Sequence, residues 1–138
     1  MIVVDASVAL AWVLDESEVN HQYAADVAAA KLEGDEELIA PMLMAQECSY
    51  RLLKIGRTKR WGEALVAEYG ETIDMIGVRY LDQLSTVSGL VRFAVRRHVQ
   101  GYDAVYLALA LATGAKLATL DGGLKTAARA AGVELFSA

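Results

Sequence analysis

The sequence has little cysteine, proline or aromatic content: one Cys, one Pro and 7% aromatic residues in 138. A single thiol excludes an internal disulfide framework and any cysteine-based zinc site. That thiol, Cys48, reads as a small buried hydrophobe. Only His21 and His98 supply imidazoles, and His98 reads as a helix-end residue. Long hydrophobic runs are also missing. The longest uninterrupted apolar stretch, Ala104 to Ala112, has nine residues, far short of a membrane span. No repeat and no low-complexity tract occurs. The chain enters a strand-like run at once, with no basic leader or cleavage signal. These absences lead us to expect a soluble, cytoplasmic protein with one domain over residues 1–138. What is abundant is apolar: 55% of the residues, with a mean hydropathy of +0.30. We expect some of that surplus to be buried against another chain.

Basic residues are scarce in the first third of the chain. Residues 1–47 hold ten acids and one Lys, a net charge of −9, whereas residues 48–138 carry a net +4. The total of −5 argues against a nucleic-acid partner, because phosphate binding relies on Lys and Arg. The asymmetry argues the other way.

Strand-like and helix-like segments alternate. Ile2–Val4 reads as a buried strand, followed by a helix from Val8 to Leu14 capped by Ser7. A helix covers Val19 to Leu32, and Leu38–Ala40 reads as strand two. Pro41 opens a helix, where its missing N–H costs nothing, and Gly56 ends it. Thr58 to Glu71 pairs with it as a helical hairpin, and Ile73 to Val78 reads as strand three. Helices follow at Leu81–His98 and Tyr102–Thr113, the latter closed by Gly114 as a C′ glycine. Lys116–Leu120 reads as strand four, Leu124–Ala131 as a helix and Val133–Phe136 as a last strand. This order predicts an α/β fold with a mostly parallel sheet. Ligands in such folds bind beyond the C-terminal ends of the strands.

Four acids stand at informative places, and each has two readings. Asp5 ends the first strand, as a helix cap or as a carboxylate at the mouth of the sheet. Glu47 falls at the edge of an apolar helix face, either bonded to Arg51 at i+4 or held there for a purpose. Asp103 opens the most apolar helix, as a partner of its dipole or as a site residue. Asp121 ends strand four ahead of two glycines, as an N-cap or as a ligand. Brought together, ionised carboxylates repel by about 4 kcal/mol per pair at ~4 Å and an effective dielectric near 20. Such a cluster requires a cation. An all-oxygen donor set favours Mg²⁺ or Mn²⁺ over zinc, and the chemistry it suits is phosphodiester hydrolysis.

These residues resemble the PIN-domain ribonucleases of the VapC toxin group. Val4-Asp5-Ala6-Ser7 matches the first acidic motif of that family. Pro41 with Glu47 matches the second, and Tyr102-Asp103-Ala104-Val105-Tyr106-Leu107-Ala108-Leu109-Ala110 the third. Thr119-Leu120-Asp121, followed by Leu124, Ala127, Ala128 and Gly132-Val133, matches the fourth. The resemblance implies a PIN-like α/β/α sandwich around a central parallel sheet. It implies that Asp5, Glu47, Asp103 and Asp121 converge on one or two Mg²⁺ or Mn²⁺ ions, with Ser7 and Thr119 as auxiliary hydroxyls. It implies an endoribonuclease acting on structured RNA such as tRNA or ribosomal RNA. It also implies a cognate antitoxin, facing the hairpin over residues 42–71, and a homodimer.

Arg51, Lys54, Arg57, Lys59 and Arg60 crowd the stretch after Glu47. They read either as a solvated helix end or as a patch that positions RNA phosphates. Arg92, Arg96 and Arg97 form a second cluster. Neither patch interleaves aromatic residues, so recognition through shape and backbone is expected. Trp12 and Trp61 read as core residues, or as partner contacts if exposed. Two other functions remain in view: a PIN nuclease of RNA processing, and a catalytically silent PIN-like binding module.

Overall fold

Short apolar runs build the sheet. The structure, a computed structural model, describes residues 1–138. Ile2–Val4 forms β1, Leu38–Ala40 β2, Arg79–Tyr80 β3 and Lys116–Ala118 β4. All neighbouring pairs are parallel, in the order β3-β2-β1-β4. Successive strand residues point to opposite faces. Every residue of β1 and β2 is 0% exposed, so both faces of the sheet are covered. This is why these strands read as unbroken apolar runs instead of alternating ones.

Helices α1 (Ala6–Ala11) and α2 (Glu18–Leu32) connect β1 to β2. Helices α3 (Leu43–Lys59) and α4 (Glu63–Ile76) connect β2 to β3. Helices α5 (Val87–Arg97) and α6 (Asp103–Thr113) lead to β4, and α7 (Gly122–Ala130) follows. The first two crossovers step one way across the sheet, and the third returns past β2 and β1. Right-handed crossovers in opposite directions place their helices on opposite faces, giving an α/β/α arrangement. The reversal also makes the chain diverge beyond the C-terminal ends of β1 and β4. A crevice at such a switch point is where ligands bind in open α/β sheets.

Several boundaries differ from the sequence reading. The first helix starts at Ala6 and is capped by Asp5, not Ser7. The helix after Pro41 does not stop at Gly56; α3 continues to Lys59. Gly56 is buried, and a Cβ there would lie 2.8 Å from Val66 Cγ2, so this glycine serves close packing of α4 on α3. Ile73 to Ile76 belongs to α4, not to a strand. Val66, Tyr69, Ile73 and Ile76 recur at helical spacing and turn inward together. β3 is displaced to Arg79–Tyr80.

Leu81 to Thr86 is not helical, because its polar groups are tied elsewhere. Leu81 N–H donates to Ala40 O at 2.9 Å, and Asp82 Oδ1 accepts from Met42 N at 2.9 Å. Thr86 then caps α5 by accepting from Gly89 N at 3.0 Å. The final strand shrinks to one parallel bridge, Leu117 with Leu135. Gly114 closes α6 with φ +69°, as the sequence predicts. Trp12 is half-buried, and its indole donates to Ala24 O at 2.7 Å. Trp61 is half-buried against Tyr69, with centroids 5.0 Å apart.

Candidate functional site

The crevice is lined where the ends of β1 and β4 meet. Asp5 follows β1 and is 5% exposed. Its Oδ1 accepts from the backbone N–H of Ser7 at 3.0 Å and of Val8 at 3.3 Å. The Ser7 hydroxyl also donates to Oδ1, and the Thr119 hydroxyl donates to Oδ2. Ser7 Oγ in turn accepts from Leu120 N at 3.0 Å, and Thr119 Oγ1 accepts from Asp121 N at 3.0 Å. The two hydroxyls therefore stitch β1 to the turn after β4, with Asp5 between them. Asp5 is a helix cap and a carboxylate at the mouth of the sheet at once. Burial raises its pKa, and the hydrogen bonds from Ser7, Thr119 and Val8 work against that rise.

Glu47 projects from α3 and is half-buried. No ion pair joins it to Arg51; its partner is Tyr106 on α6, whose hydroxyl donates to Oε1 at 2.6 Å. Burial, then the bond to Glu47 and its charge, push the Tyr106 phenol well above its ordinary value. That phenol stays protonated and holds Glu47 in place. Nothing in the local sequence signals this pair, because it bridges 59 positions.

Asp103 is the first residue of α6 and half-buried. Its pKa is pushed up to about 6, first by burial and then by the charges of Asp121, Asp5 and Glu47. Three acids from other parts of the chain thus act on Asp103. Asp121 caps α7, with Oδ2 accepting from Leu124 N at 2.7 Å. Cys48 is buried beside Glu47, and burial above all pushes its thiol up to about 12, so it offers no thiolate.

A hard divalent cation fits the chemistry of this donor set. The available atoms are all oxygens. Both oxygens of Asp103, Oε2 of Glu47 and Oδ1 of Asp121 accept no hydrogen bond within the chain, while Oε1 of Glu47 and Oδ2 of Asp121 do. The repulsion that raises Asp103 is what a cation offsets. As placed, the carboxylates share a field without closing into a ligand cluster. No group of three or more Asp, Glu, His or Cys side chains stands ready to hold a metal ion.

The predicted phosphate-positioning residues Arg51, Lys54 and Arg57 are exposed on α3 and take no part in the chain's ion pairs. At helical spacing Arg51 and Lys54 continue the face that carries Glu47, about 6 and 10 Å further along the axis, while Arg57 turns aside. A cavity of about 720 Å³ between Leu81–Thr86, α5 and α6 contains none of the four acids. No helix is long and apolar enough to cross a membrane.

Among solved structures, the chain is similar to that described as "Crystal Structure of PAE2754 from Pyrobaculum aerophilum". The two share 24% identity with a TM-score of 0.67, over 91% of this chain and 83% of that one. At that identity the likeness shows the fold. No match is found among curated proteins. The family model described as "PIN domain" matches residues 2–130, which takes in all four acids. PIN domains are generally nucleases, and such nucleases typically use divalent metal ions. On a match that spans nearly its whole length, this chain belongs to the PIN domain family.

Proposed function

We propose that this PIN domain is a Mg²⁺- or Mn²⁺-dependent endoribonuclease, acting in the cytoplasm as the toxin of a toxin–antitoxin pair. The observation that carries the nuclease reading is Asp103 at the switch point of the sheet, whose pKa is lifted to about 6 by burial and then by the charges of Asp121, Asp5 and Glu47. In this reading those four residues hold the cation. The chemistry it supplies is activation of a water and charge stabilisation at the scissile phosphate and the leaving oxygen. The chain's own residues prepare the site. Ser7 and Thr119 fix both oxygens of Asp5, and Tyr106 fixes Glu47. Arg51, Lys54 and Arg57 offer unpaired cations to the RNA backbone on the approach from α3.

Two exposed regions support protein partners. Val87, Val91 and Val95 repeat every fourth residue on α5 and are 84%, 56% and 68% exposed, with Leu84 beside them. A contiguous apolar stripe of this kind suits a second copy of the chain. The α3–α4 hairpin, with Leu53, Leu65 and Met75 exposed, suits the antitoxin.

The test is cleavage of total RNA by the purified protein and by Asp5→Asn, each with Mg²⁺ or Mn²⁺ and with EDTA. Discrete fragments that need both the metal and Asp5 are expected. Fragments of equal yield from both proteins would sink the assignment. RNA bound but never cut would favour the silent binding module.

A further inference from the structure

A cleft of about 620 Å³ adjoins the acidic crevice, and the two share Thr119. The Thr119 hydroxyl bonds Asp5 on the crevice side. The remaining walls come from distant parts of the chain: Tyr23 on α2, Lys125 and Arg129 on α7, and the terminal segment from Gly132 to Ser137. Leu124, Ala127 and Ala128 carry the opposite face of α7 into the core. That burial fixes the helix so that Lys125 and Arg129, one turn apart, rise from the same outward face. Lys125 stands one turn after Asp121 and is half-buried. Neither cation has a carboxylate partner among the three ion pairs of the chain. Glu134, the acid on the cleft wall, is engaged by Lys116 at 3.6 Å. The far wall is anchored, because Tyr23 donates to Phe136 O at 3.1 Å and the two rings meet edge to face at 6.0 Å. A fixed cleft with two free cations therefore lies on the other side of buried Thr119 from Asp5, and Lys125 joins it to Asp121 along one turn of α7. A polyanion whose reacting phosphate lies among the acids needs such a place for its next phosphate.

We infer that this cleft is a backbone-phosphate subsite for the RNA substrate, with Lys125 and Arg129 holding a phosphate adjacent to the scissile one. The inference rests on the ribonuclease reading above. It differs from the expectation based on α3, because Arg129 and the cleft walls come together only when α7 packs against α6 and the terminal segment closes over Tyr23.

The experiment compares cleavage of a single-stranded RNA by the full chain and by Lys125→Gln/Arg129→Gln, in excess Mg²⁺ across a salt series. The double variant is expected to raise KM about tenfold or more with kcat retained. Its slope of log(kcat/KM) against log[salt] is expected to be shallower by about 0.7, the value for one lost phosphate contact on a single strand. Lys125→Arg/Arg129→Lys, which keeps both charges, is expected to hold KM within about twofold. Arg96→Gln/Arg97→Gln removes the same charge from α5 and is expected to change the slope by less than half as much. The subsite is overturned if wild type cleaves RNA and the Gln pair keeps its KM and slope. It is also overturned if the charge-conserving pair loses as much as the Gln pair. A wild type that cuts no RNA would overturn the ribonuclease reading itself, and the subsite with it.

Discussion

Asp103 is pulled in two directions. Its place at the start of α6 favours the charged form through the helix dipole. Burial and three neighbouring carboxylates disfavour it more, so the pKa stands at about 6, above the ordinary 3.8. The sign of the linkage follows. The unfolded chain gives up this proton more readily than the native one, so ionised Asp103 costs stability above about pH 6. The cost is relieved as the pH falls from about 6 toward the ordinary value. Asp103→Asn is therefore expected to raise the melting temperature of the metal-free protein near pH 7.5 by a few degrees, with the gain over wild type closing between about pH 6 and 4. Calorimetry in EDTA checks this; a variant no more stable than wild type near pH 7.5 would contradict it. The acids themselves were legible in the sequence, because each ends a strand, opens a helix or interrupts an apolar face. Of their supports, Ser7 and Thr119 were named only through the family resemblance, and Tyr106 was not named as one. Thr119 meets Asp5 across 114 positions and Tyr106 meets Glu47 across 59. Such pairs form only when β4 lies beside β1 and α6 beside α3.

Among the elements, β1 and β2 were read at their places, and the larger errors gathered in the α3–α4 arm and just after it, with smaller ones at the start of α1, the end of β4 and the final strand. Gly56 looks like a stop because glycine weakens an exposed helix by about 1 kcal/mol. Here it is buried, and its missing side chain lets Val66 and Trp61 approach. Ile73 to Val78 looks like a strand because of its β-branched residues, yet its spacing continues the apolar face of α4. Tertiary packing decided both cases. Gly56→Leu is expected to destabilise the protein by about 1–3 kcal/mol, since the added atoms meet Val66 Cγ2 within van der Waals distance. Chemical denaturation measures the loss, and an unchanged midpoint would show that α4 is free to move away from α3.

For the whole molecule, the strand order does the most to create a site. A sheet ordered β3-β2-β1-β4 sends the chain away from β1 and β4 in opposite directions. Asp5 and Thr119 stand at that divergence, with Asp103 on the helix that packs over β1. The overall charge of −5 hides this arrangement. Acids concentrate in residues 1–47, and the later residues bring a net +4, including Lys125 and Arg129 beside the crevice and Arg51 and Lys54 along the face of Glu47. A polyanionic substrate is compatible with an acidic protein when a cation offsets the central carboxylates and basic side chains flank them. The most direct measurement is therefore Mn²⁺ binding, followed by electron paramagnetic resonance on wild type and on Asp103→Asn. Wild type is expected to bind Mn²⁺ in competition with Mg²⁺. Asp103→Asn is expected to weaken that binding by about tenfold or more, since even outer-shell changes at metal sites cost about 10–100-fold. Wild type that leaves Mn²⁺ free in solution, or an Asp103→Asn protein that binds it equally well, would contradict the account.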